Sequence, residues 1–189
     1  MNKTMLIVDD FYASPDEVRN FALTKDFLTV GNYPGYRTKC EDDDQHTYLK
    51  TFLENLMGET INYWPKEQNT SYQVTTEKDT TWVHHDNTDW AGVLFLTPNA
   101  PIESGTAIYK HKQSGISWWD GIENSASDFN GLTGLDDLSN WEQQVFVGNV
   151  YNRLVLFRGN QYHRSLVPGF GNDKYTGRLF QVFFFNVEH

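Results

Sequence analysis

From residue 71 onward the chain is cut into short apolar or alternating runs, and Gly, Pro, Asn and Asp make the cuts. The runs fall at 71–77, 80–85, 91–97, 105–110, 152–157, 162–167 and 178–187. Their joins are turn-forming, as in Thr97-Pro98-Asn99-Ala100-Pro101 and Pro168-Gly169-Phe170-Gly171-Asn172-Asp173. Short strands in series with such turn signals suggest an antiparallel sandwich or jelly roll. The first 65 residues read differently. A buried strand at 5–8 precedes Ser14-Pro15-Asp16-Glu17, which opens a helix with a capping hydroxyl, a proline in the first turn and a capping-box glutamate. Val18, Phe21 and Ala22 form its apolar stripe. Gly31 to Tyr36 reads as a glycine- and tyrosine-rich loop. A second helix is expected at about 46–59, with Leu49, Phe52, Leu53, Leu56 and Met57 on one face. The expectation is a mainly β, α+β fold with the two helices covering the larger sheet. It forms one domain over 1–189, with 1–65 as support and 71–187 as the core. An insertion at about 111–150, helical around 136–144 and rich in tryptophan, interrupts that core and is long enough to cover a site.

Within the core the segment Thr81-Trp82-Val83-His84-His85-Asp86 carries the most chemistry. On an extended strand His84 and Asp86 share a face, and His85 points the other way. An imidazole beside a carboxylate is two-thirds of the 2-His-1-carboxylate triad that holds non-haem Fe(II). His163, in Gln161-Tyr162-His163-Arg164-Ser165, is the candidate for the third position. Arg178 heads the apolar strand Arg178-Leu179-Phe180-Gln181-Val182-Phe183. A guanidinium there calls for an anion, either a structural Asp or Glu or the distal carboxylate of a bound 2-oxo acid.

His-x-Asp, a distant His and an Arg on the next core strand, in that order, resemble the Fe(II)/2-oxoglutarate-dependent oxygenases, in particular a small uncharacterised subgroup from phages and bacteria. The resemblance covers roughly 71–187. It implies a double-stranded β-helix in which His84, Asp86 and His163 ligate Fe(II) and serve catalysis. It also implies 2-oxoglutarate as cosubstrate, clamped by Arg178 and a hydroxyl from Tyr72, Tyr109 or Thr176, with O₂ as oxidant. Hydroxylation with release of succinate and CO₂ is the implied reaction. Asp86 speaks against a halogenase-type site. The chain departs from subgroups that carry Arg-x-Ser at the clamp, since it reads Arg178-Leu179-Phe180. Two alternatives stay open: a non-catalytic jelly-roll binding or virion accessory protein, and a cupin-like metalloenzyme that uses no 2-oxo acid.

Composition narrows the partners. With 15 Lys+Arg against 25 Asp+Glu the net charge is −10, and no basic cluster stands out, so nucleic acid is not expected. A small molecule or a peptide is the expected substrate. Cys40 is the single cysteine, and the apolar run near the start has four residues, too few for a membrane span. A cytoplasmic setting with no membrane contact is therefore expected, and oligomeric state is left open. Trp82 and Trp90 are assigned to the core, Asn152 to a turn, Arg164 to solvent, and His46, His111 and His189 to the surface.

Overall fold

The computed structural model describes residues 3–40, 43–119, 137–166 and 169–188. In chain order the elements are β1 (Met5–Val8), α1 (Pro15–Thr24), β2 (Thr29–Gly31), β3 (Tyr33–Arg37), α2 (Asp43–Met57), β4 (Ile61–Tyr63), β5 (Tyr72–Thr75), β6 (Trp90–Phe95), β7 (Thr106–His111), β8 (Trp141–Val147), β9 (Leu154–Arg158), β10 (His163–Ser165) and β11 (Arg178–Val187). Two antiparallel sheets result. The larger runs β1-β9-β6-β11-β5-β3-β2, with β4 also paired to β11, and the smaller runs β10-β7-β8. A single bridge between His84 and His163 adds the segment around His84 to the free side of β10. The chain passes alternately between the sheets, so β5-β11-β6-β9 faces His84-β10-β7-β8. This is a double-stranded β-helix.

Alternation along the strands divides the apolar residues between two layers. Leu179, Phe183 and Phe185 of β11 join Leu94, Leu154 and Leu156 and the helix residues Ala22, Leu49, Leu53 and Met57 in one buried cluster. Phe180, Val182, Phe95, Val155 and Ile108 form a second cluster between the sheets. A third lies on the outer side of the small sheet, around Val83, Tyr109, Trp141 and Tyr162. Both helices occur where periodicity places them. Ser14, however, caps α1 only through its backbone carbonyl, which accepts from the Glu17 and Val18 N–H groups; its side chain makes no cap bond. Leu56 and Phe21 are exposed rather than buried. Among the described residues no helix is long and apolar enough to cross a membrane.

Several strands differ from expectation. The presumed loop at 31–36 is largely β3, which pairs with β5 through Tyr36–Val74 and Arg37–Gln73. Gly35 makes this approach feasible: its φ is +73°, and a Cβ there would stand 2.0 Å from the Val74 carbonyl oxygen. The expected helix near 136–144 is strand β8 from Trp141 on, preceded by a short turn whose Asp137 carboxylate accepts from the Ser139 N–H. Register with β7 overrides a polar sequence that reads as helical, because Glu142 to Phe146 is an exposed strand face. The remainder of the insertion, 120–136, lies outside the described residues. The short strand β4 was not anticipated, and the expected strand at 80–85 reduces to the His84 bridge.

Candidate metal centre

His84 and His163 exchange backbone hydrogen bonds in both directions, at 3.0 and 2.8 Å, which sets their side chains next to each other. Each ring then makes the same local contact. His84 Nδ1 lies 3.0 Å from the Trp82 carbonyl and His163 Nδ1 lies 2.8 Å from the Gln161 carbonyl. A carbonyl can only accept, so each Nδ1 carries the proton and each Nε2 presents a lone pair. Asp86 arrives on a turn that is pinned from across the sheet. Its N–H donates to the Gly159 carbonyl at 2.7 Å, and the Gly159 N–H donates to the Asp89 carbonyl at 3.0 Å. A Cβ on Gly159 would meet the Thr88 carbonyl oxygen at 2.2 Å, so this close approach requires glycine.

The ligating atoms of His84, Asp86 and His163 all lie within 4.8 Å of one another. His163 Nε2 and Asp86 Oδ2 are 3.3 Å apart. Donors about 2.1 Å from one ion stand about 3–4 Å apart, so the cluster has the dimensions of a metal site. Its electrostatics prepare the same state. Burial, aided by the neighbouring His163, lowers the His84 pKa to about 4, against the pull of Asp86. Burial alone would raise Asp86, but the neighbouring His163 and His84 and the charge of Arg37 hold it below its ordinary value. At neutral pH the cluster offers a neutral imidazole and an ionised carboxylate, the protonation a metal needs. His85 faces the other way and stacks on Trp119, with ring centroids 4.4 Å apart and planes 9° apart.

These groups open onto a cavity of about 640 Å³ whose wall includes Arg178, Phe180, Val182 and Phe184 of β11 together with Ala91, Val93 and Phe157. Arg178 is 2% exposed. Its Nε donates to the Ser104 carbonyl at 2.8 Å, and its guanidinium lies over the Phe180 and Phe95 rings at 4.3 and 5.4 Å. No described carboxylate pairs with it, and its two terminal nitrogens have no acceptor among the described residues. Burial alone lowers its pKa, to about 9. Of the two partners the sequence left open, a structural Asp or Glu is therefore missing among the described residues.

The three hydroxyl candidates are not in the cavity wall. Tyr72 packs in the helix-side cluster, because it pairs with Gln181, whereas Gln73 pairs with Phe180 on the cavity face. Tyr109 points into the outer cluster with Trp141 and Tyr162, its hydroxyl buried without a partner among the described residues. Thr176 is exposed and bonds the Asp173 carboxylate at 2.7 Å. Arg164 does point opposite to His163, but it is buried rather than solvated, near enough to Tyr109 for its charge to act there. His46 and His111 are buried as well, His46 accepting from the Trp64 indole at 3.0 Å and His111 bonding Ser114 at 2.9 Å. His189 lies outside the described residues. Trp90 is core, Trp82 stands in the cavity wall, and Asn152 sits in a turn at φ +64°. Among the cavity residues that sequence reading did not single out is Arg37, on the strand taken for a loop.

Residues 1–185 match the family of unknown function DUF6445. The chain belongs to that family. No curated protein matches this DUF6445 chain. Among solved structures it is similar to a prolyl hydroxylase from Trichoplax adhaerens in complex with a hypoxia inducible factor oxygen degradation domain peptide fragment, at 14% identity over 96% of this chain and 83% of that one, TM-score 0.56. It is similar to HygX from Streptomyces hygroscopicus with nickel and 2-oxoglutarate bound, at 12% identity over 95% and 81%, TM-score 0.57. A Pseudomonas putida prolyl-4-hydroxylase matches at 12% identity over 98% and 94%, TM-score 0.54. At such identities the likeness establishes the double-stranded β-helix of this DUF6445 chain.

Proposed function

We propose that the protein is a non-haem Fe(II)- and 2-oxoglutarate-dependent oxygenase that hydroxylates a small molecule or peptide. The observation that carries this reading is the convergence, in one cavity, of two Nε2 lone pairs and a carboxylate with a buried arginine that has unused donors. His84, Asp86 and His163 would hold the metal on one side and leave its other positions open to the cavity. When bound, Fe(II) with 2-oxoglutarate supplies oxidation of a substrate C–H bond by O₂, coupled to loss of CO₂ and formation of succinate. The protein's share is placement. The Nδ1–H bonds to Trp82 and Gln161 keep both rings from turning, and Gly159 keeps Asp86 in reach. Arg178 would bind the distal carboxylate of the cosubstrate with its two terminal nitrogens, in a pocket dried by Phe95 and Phe180. A site without a 2-oxo acid would leave that cation with no anion to bind, so Arg178 favours the cosubstrate-dependent reading over a cupin-like one. HygX, on the same fold, has 2-oxoglutarate bound, which supports it further.

The test is metal analysis of anaerobically loaded protein, followed by succinate measurement with O₂ and 2-oxoglutarate. One Fe(II) per chain and slow succinate formation are expected even without substrate. Arg178→Ala should keep the metal and raise the 2-oxoglutarate KM at least about tenfold, because it leaves a buried carboxylate unpaired. Protein that binds no Fe(II) and forms no succinate would overturn the assignment.

A further inference from the structure

Arg37 stands on the same sheet face as Arg178. It pairs with Gln73 across β3 and β5, and Gln73 pairs with Phe180 across β5 and β11. Two strand spacings, about 10 Å, separate the β3 row from the β11 row, so one small dianion does not naturally serve both guanidinium groups. The Arg37 side chain is held in place. Its Nε donates to the Gln73 Oε1 at 2.8 Å, and the Gln73 Nε2 donates to the Pro34 carbonyl at 2.6 Å. The Tyr33 ring lies 3.8 Å from its guanidinium carbon and the Phe184 ring 5.5 Å away. Flanked by rings and tied at Nε, the group directs its remaining edge into the cavity that His84, Asp86 and His163 also line.

That edge has no acceptor among the described residues. Asp86 is the carboxylate whose charge acts on Arg37, and it belongs to the metal cluster, 3.3 Å from His163 Nε2. Arg153 shows how this chain treats a structural arginine: its Nε and Nη2 grip both oxygens of Asp9, at 2.5 and 2.9 Å. In a protein with 25 acidic residues, a fixed and largely buried guanidinium with no such partner is a reserved donor pair.

Building on the oxygenase reading, we infer that Arg37 binds the substrate itself, and that the substrate carries a carboxylate. Arg178 then takes the cosubstrate on one side of the metal cluster, and Arg37 takes the substrate's carboxylate on the other. Tyr33 and Gln73 act as positioning residues that fix the guanidinium plane.

The probe is trifluoroacetate, followed by fluorine NMR on the full-length, metal-free chain, so that no metal can hold the anion. Wild type is expected to bind it at two sites, of which 2-oxoglutarate displaces the one lost in Arg178→Gln. The Arg178→Gln variant keeps the other site. Adding Arg37→Gln to that variant weakens the remaining binding at least tenfold, whereas Arg37→Lys, which keeps the charge but loses the fork, weakens it less. Far-UV circular dichroism checks that each variant is folded. The inference is overturned if Arg178→Gln binds trifluoroacetate no better than the Arg37→Gln/Arg178→Gln double variant. Failure of 2-oxoglutarate to displace any signal would instead strike the oxygenase reading, so the two fail separately.

Discussion

Strand β11 has two faces that treat polar groups in opposite ways. Toward the helices it presents Leu179, Gln181, Phe183 and Phe185; toward the cavity, Arg178, Phe180, Val182 and Phe184. Gln181 is fully buried, yet its side chain is used at both ends. The Tyr12 hydroxyl donates to its Oε1 at 2.7 Å, and its Nε2 donates to the Thr70 carbonyl at 3.1 Å. Arg178, three residues earlier and nearly as buried, spends one donor nitrogen of three among the described residues. Burial without satisfaction is costly, so a fold tolerates it where a ligand completes the bonding. The helix face is finished by the chain itself, and the cavity face is finished by what enters.

The sharpest way to break this comparison is to truncate adjacent phenylalanines. Phe183 is fully buried on the helix face. Phe183→Ala should cost about 3–5 kcal/mol in denaturant unfolding, from lost burial and the cavity left behind. Phe184 lines the open cavity and is only partly buried. Phe184→Ala should cost about 1 kcal/mol, and it should loosen anion binding at Arg37 instead. Equal losses would show that the two faces are packed alike. The polar pair gives the next largest effect. Gln181→Leu strands the Tyr12 hydroxyl and should cost about 1–3 kcal/mol. Arg178→Leu removes an unpaired buried cation and should leave stability unchanged or raised while 2-oxoglutarate binding is lost. A destabilised Arg178→Leu would point to a structural partner.

The division between the faces also explains what could be read in advance. A continuous apolar run marks β11, and helical spacing marks α1 and α2, because in each the pattern is complete within one element. His84 and Asp86 were legible since two residues of extended chain suffice to align them. Tyr72 and Gln73 were not, because which of them faces the cavity depends on the register of β5 against β11, a long-range fact. Arg37 lay hidden for a related reason: Pro34 and Gly35 spell a turn, and only contact with β5 makes the segment a strand. The stretch 136–144 reads as helix, and from Trp141 on it becomes β8 through pairing with β7. Local pattern was sufficient where one element decides, and it failed where two elements meet.

Acid titration of the metal-free protein tests the cavity face with the smallest effect. The His84 imidazole has an ordinary pKa of 6.5 when unfolded and about 4 when folded, since burial and the adjacent His163 disfavour its charge. Between those values the unfolded chain holds the extra proton, so stability present above pH 6.5 is lost as the pH falls toward 4. From pH 6.5 to about 5.5 the loss should be about 1 kcal/mol from this ring alone. Asp86, whose pKa is also lowered, adds its loss only below the ordinary carboxylate value of 3.8. His84→Gln should flatten the unfolding midpoint across the upper window, whereas a midpoint that still falls as steeply would place the titrating group elsewhere. Metal binding should raise the whole curve by mass action without flattening it, because a folded ring engaged with the ion at Nε2 takes up no proton while the unfolded chain still does. A helix-face substitution such as Phe183→Ala should lower the whole curve without changing its slope, which separates unfinished chemistry on one side of the sheet from finished packing on the other.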